Sequence, residues 1–65
     1  MSVQAEVEVL WTPDDVSAYL GGIPVTTLYK WRSEGRGPLG AKVGRHLRYL
    51  PDDVRAWVRE QRAAA

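Results

Sequence analysis

Polar and apolar residues alternate strictly from Ser2 to Val9, and then the period changes. A period of two predicts a strand over residues 2–9. A terminal strand needs a partner edge, so a frayed arm stays open as the other reading of residues 1–9. Val16, Tyr19 and Leu20 follow i, i+3, i+4 spacing and predict a helix over Pro13–Leu20 with that face buried. Thr12 suits its N-cap and Pro13 its first turn, where Asp14 and Asp15 complement the positive helix end. Gly21 and Gly22 stop it, as residues able to take positive φ at a C-terminal cap. A second helical pattern follows a turn of about four residues. Val25, Leu28 and Trp31 share its buried face, and Gly35 ends it.

Arg36-Gly37-Pro38-Leu39-Gly40 is a loop on composition. Ala41–Val43 and Leu47–Leu50 predict two short strands about Gly44-Arg45-His46, with Leu47 and Tyr49 on one face and Arg48 on the other. Leu50-Pro51-Asp52-Asp53-Val54 repeats the earlier helix-start signal without its hydroxyl and opens a third helix. Val54, Trp57 and Val58 form its buried face and Arg55, Arg59 and Arg62 its exposed side; residues 63–65 are expected to fray. The order helix, glycine turn, helix, hairpin, helix predicts an α+β fold, mostly helical, with a domain over residues 10–62.

Sixty-five residues form one domain with a small core. With no cysteine, no disulfide or thiolate metal site holds the chain, which fits a reducing cytoplasm. No apolar run approaches the roughly 18 residues of a membrane span. The formal net charge of +1 conceals a segregation of sign. Residues 1–15 carry acids only. From Val16 to Leu50 the bases Lys30, Arg32, Arg36, Lys42, Arg45 and Arg48 face Glu34 alone, a surplus of five. Such a block is the footprint of a polyanion-binding face.

The chemistry points the same way. Thr26, Thr27, Tyr29 and Lys30 fall away from the buried face of the second helix, in residue types suited to hydrogen bonding, stacking and phosphate contact. After a helix and a glycine turn, this is the pattern of a recognition helix, although an ordinary amphipathic helix with a solvated face would read alike. Arg45 and His46 at a hairpin tip, with Lys42 and Arg48 on its arms, make a basic wing. His46 is the only histidine, so acid–base or metal chemistry has no partner there. Gly40 is followed by Ala41 rather than the lysine a phosphate-binding P-loop needs. An enzyme has little support, and no cofactor is called for.

Five stretches carry a family resemblance. Leu10-Trp11-Thr12-Pro13-Asp14-Asp15-Val16, Thr27-Leu28-Tyr29-Lys30-Trp31-Arg32, Gly35-x-Gly37-Pro38 and Val43-Gly44-Arg45-His46-Leu47-Arg48-Tyr49 resemble the excisionase (AlpA-like) family of MerR-like winged helix-turn-helix proteins, as does Asp53-Val54-Arg55-Ala56-Trp57. The likeness spans about residues 10–60. The turn Gly21-Gly22-Ile23 is one residue longer than the family's usual glycine–apolar pair, and Ser17 stands where the family packs alanine.

The resemblance implies a small DNA-binding protein of phages, plasmids and integrative elements, working in the bacterial cytoplasm. Thr26, Thr27, Tyr29 and Lys30 would enter the major groove. Arg32, Arg36 and Lys42 would hold phosphates, and Arg45, His46 and Arg48 the wing contacts. Leu28, Trp31, Tyr49 and Trp57 are assigned to the core. The implied partners are double-stranded DNA with repeated attachment sites, an integrase or recombinase, and further copies of the chain on DNA. The chain offers no effector or dimerising domain past residue 65, which favours a recombination directionality factor that bends DNA over a small MerR-like transcription regulator. A protein-interaction module presenting its acidic first helix is the reading from another class.

Overall fold

The computed structural model describes residues 9–64. Within them the chain forms α1 (Pro13–Tyr19), α2 (Val25–Ser33), β1 (Gly40–Val43), β2 (His46–Tyr49) and α3 (Pro51–Ala64). The expected strand over residues 2–9 lies outside the described residues except for Val9, which is exposed.

Each helix has an identifiable local cause. Thr12 caps α1 through a reciprocal pair: its Oγ1 accepts from the Asp15 amide at 3.1 Å, and Asp15 Oδ2 accepts from the Thr12 amide at 2.9 Å. At the other end the Gly22 amide donates to Ser17 O and the Gly21 amide to Ala18 O, a Schellman closure with Gly21 at φ 80°. Leu20 is therefore the cap rather than the last helical residue. The end of α2 repeats the device, with Arg36 N–H to Trp31 O, Gly35 N–H to Arg32 O and Gly35 at φ 72°. The third helix runs through Ala64, past the boundary expected at residue 62, as two alanines favour.

The hairpin turns one residue tighter than its sequence suggested. Val43 pairs with His46, leaving Gly44 and Arg45 as a two-residue connection with Gly44 at φ 66°. Glycine at the first of two turn positions with positive φ matches the type II′ hairpin. Consequently His46 belongs to β2 and not to the tip, and Leu50 leaves the strand to accept the Asp53 and Val54 amides at the start of α3. The register changes with it. A three-residue turn would set Lys42 opposite Arg48; the observed one sets Lys42 opposite Leu47 and Arg48 opposite Ala41, on opposite faces.

The core is Val16 from α1, Leu28 from α2, Leu47 and Tyr49 from β2 and Val54 from α3. Trp11 extends the sheet by a single antiparallel bridge to Tyr49, with reciprocal backbone bonds of 2.8 and 2.9 Å. Three aromatic expectations change. Tyr19 is 46% exposed, because Pro13, Val16 and Leu20 centre the buried arc and leave it at the margin; its ring lies 5.1 Å from that of Trp11. Trp31 and Trp57 are half-buried, not core residues, and lean on each other with centroids 5.5 Å apart across the α2–α3 seam. A domain this small lacks the atoms to enclose two indoles.

Gly37 sits beneath this seam at φ 78°, where a Cβ would lie 2.9 Å from Trp31 Cε3; at Gly21, also at positive φ, a Cβ would meet nothing. Gly21→Ala should therefore cost about 1 kcal/mol of backbone strain. Gly37→Ala adds a steric clash and should cost about 2–3 kcal/mol, from strain and overpacking together. Urea unfolding of the two variants checks the difference, and equal losses would show that the Trp31 contact is immaterial.

Candidate DNA-binding interface

The second helix differs from its neighbours at its start. Both α1 and α3 open with Pro-Asp-Asp, placing carboxylates against the positive helix end. The first turn of α2 holds no acid, and its cap, Pro24, makes no side-chain hydrogen bond. Among the described residues no carboxylate caps this positive end, which carries the Thr26 and Thr27 hydroxyls. A helix start of this kind accommodates phosphate.

Burying Leu28 turns Thr26, Tyr29 and Lys30 outward. Tyr29 is 47% exposed, and Thr27 is half-buried on the Trp31 side of the helix. Lys42, on the inner face of β1 by its register with Leu47, reaches the same region: Tyr29, Arg32, Ser33 and Lys42 line a shallow open cleft between α2 and the hairpin. Ser33 was not anticipated there, since its hydroxyl donates to Lys30 O at 2.8 Å, an ordinary helix-end bond with no sequence signature. Arg32 spans the cleft, its Nη1 donating to Gly40 O at 3.2 Å.

The remaining predicted residues do not join that cluster. Arg45 is exposed at the hairpin tip. His46 and Arg48 lie on the outer face, where Arg48 Nη1 donates to Leu47 O at 2.8 Å beside an apolar recess that includes Leu10, Leu39, Val43 and Leu50. Arg36 pairs with Glu34 at 2.9 Å and borders Trp57 and Glu60, away from the cleft. Among the described residues the ion pairs are Arg36–Glu34 and Arg55–Asp52. Lys30, Arg32, Lys42, Arg45 and Arg48 thus have no carboxylate partner there, and their field is open to an external polyanion. Also among these residues, no helix is long and apolar enough to cross a membrane, and no group of histidine, cysteine or acidic side chains is arranged to hold a metal ion.

Two helices joined by a glycine turn, followed by an antiparallel hairpin with basic residues and a third packed helix, define a winged helix-turn-helix. Residues 12–62 match the family model described as a helix-turn-helix domain, and the chain belongs to that family, whose members include AlpA-like excisionase-type regulators. Membership implies binding to double-stranded DNA. No curated protein and no solved structure matches the chain significantly.

Tyr49 links the interface to the core. Burial pushes its phenol above the ordinary value of about 10; the Arg32 guanidinium opposes that rise and Tyr29 adds to it. The folded phenol keeps its proton to higher pH than the unfolded one. This contribution to stability is complete below about pH 10 and is lost as pH rises through the folded value. Between about pH 9 and 11, urea-unfolding stability should fall less for Tyr49→Phe than for the wild type. Parallel losses would remove Tyr49 as the cause.

Proposed function

We propose that this chain is a recombination directionality factor: a sequence-specific binder of double-stranded DNA that loads on repeated attachment-site sequences and favours integrase-mediated excision. The observation that carries the DNA reading is an acid-free helix start with Thr26, Tyr29 and Lys30 turned outward, adjoining a hairpin whose cations have no carboxylate partner among the described residues. The excision role rests on the resemblance of Leu28-Tyr29-Lys30-Trp31-Arg32 and Val43-Gly44-Arg45-His46-Leu47-Arg48-Tyr49 to AlpA-like excisionases.

In this reading Thr26, Tyr29 and Lys30 meet base edges in the major groove, with Thr27 at the margin. Lys42 and Arg36 hold phosphates on either side of the helix, which fixes register without reading sequence. Arg45 enters the adjacent minor groove, and His46 and Arg48 follow its backbone. One such module buries roughly 600–1,000 Å², too little for tight specific binding alone. Neighbouring copies and the integrase supply the rest. The setting is the cytoplasm of a bacterial host.

Binding should weaken linearly on a log–log salt plot, by about 0.9 per phosphate neutralised, and a flat response would remove the DNA reading. Thr26→Ala and Tyr29→Ala should each erode discrimination between cognate and random duplex by about 1–3 kcal/mol while leaving the unfolding midpoint nearly unchanged. The role itself is checked by recombination in vitro with the integrase of the host element. Adding the protein should switch on excision and be dispensable for integration. Altered transcription from a nearby promoter with excision untouched would make the chain a small transcription regulator instead.

A further inference from the structure

Arg32 stands in the basic block where a phosphate contact is the obvious role, but one arm of its guanidinium is already bonded within the protein. The bond from Nη1 to Gly40 O is the only hydrogen bond joining α2 to the hairpin among the described residues. Its acceptor is well placed to control the wing. Gly40 opens β1, pairs in register with Tyr49, and lies so close to that ring that a Cβ there would be 3.0 Å from Tyr49 Cε2. A group that holds Gly40 therefore holds the hairpin at the point where it rests on the core. Lys42, two residues further along the strand, and Arg45 at the tip take their positions from that anchor.

We infer that Arg32 is a positioning residue, a guanidinium clamp that sets the angle of the wing against the recognition helix and so lets both engage one duplex. The cleft's other cation, Lys42, is then the group free to meet a phosphate. This inference rests on the DNA-binding reading for its effect on affinity, but not for its structural part. Arginine suits the task because its planar fork directs an N–H at a carbonyl with little loss of freedom, whereas a lysine ammonium is a mobile point charge.

The test compares the full chain with Arg32→Lys and Arg32→Gln. Both replacements lose the directed N–H to Gly40, and only one loses the charge. In DNA-free protein both should shift the NMR amide resonances of Gly40, Lys42 and Arg45 relative to wild type. Both should weaken binding to a duplex roughly two- to tenfold, the range of one net hydrogen bond. Neither should alter the salt slope. Arg45→Ala should also cost less affinity in either background than in the wild type, because a displaced wing has already lost part of that contact.

A phosphate contact gives a different pattern. Arg32→Lys would then behave like wild type, Arg32→Gln would reduce the salt slope by about 0.9, and the wing amides would stay in place. That pattern overturns the inference, as would a wing that moves without any change in affinity. If wild-type protein shows no salt-dependent binding, the DNA reading fails by itself, and the DNA-free spectra still decide whether Arg32 holds the hairpin.

Discussion

Tyr49 is the residue on which the small sheet and the three helices converge. Its backbone exchanges two hydrogen bonds with Trp11, which ties the segment before α1 to β2. Its ring is almost wholly buried against the core residues Val16, Leu28, Leu47 and Val54. Only glycine fits beneath it at position 40 without displacement. Burying one aromatic ring contributes on the order of 1.5–3 kcal/mol, a large share of what a 65-residue domain can hold in reserve. The wing is stable because its second strand is a core strand; its first strand and turn are carried along by pairing.

That dependence explains why a hairpin with an exposed outer face can still present charges in a defined register. Four residues a strand would be marginal in isolation. Here Leu47 and Tyr49 anchor alternate positions of β2 to the helices, and the tight Gly44-Arg45 turn fixes β1 opposite them. A slip of one residue would exchange the faces of Lys42 and its neighbours and move Lys42 out of the cleft. Strand register is thus as much a determinant of the basic surface as the number of lysines and arginines.

The helices and their stops were legible in the chain because their signals are local: Thr12 with Pro13, the two glycines after Leu20, Gly35, and the apolar spacing of Val16, Leu28 and Val54. Residues turned outward on α2 were legible for the same reason. What sequence periodicity did not carry was relative phase. Alternation placed Leu47 and Tyr49 together, yet the face shared by Lys42 depends on whether the turn takes two residues or three, and Gly44-Arg45-His46 is compatible with both. The Trp11–Tyr49 bridge joins residues far apart in sequence and has no local signature at all. The indoles of Trp31 and Trp57 were placed too deep because apolar spacing marks an inward direction without saying how much protein lies above it. The same blindness applies to Arg32: its charge was evident, but its carbonyl partner became visible only once the hairpin folded back on α2.

The three helix starts differ in how they meet the helix dipole, in a way that fits the proposed recognition role of α2. Pro-Asp-Asp at α1 and α3 places anions against the helix dipole, an arrangement worth about 0.3–1 kcal/mol for each well-placed charge. The same device on α2 would be locally stabilising and would also repel a phosphate arriving at that end. The chain omits it there, and secures α2 at its other end by the Gly35 closure and along its length by Leu28 and Trp31. A helix held from behind can leave its front unneutralised. Half of the chain's eight acids follow this division: Asp14, Asp15, Asp52 and Asp53 stand at the starts of α1 and α3, and none stands in the first turn of α2.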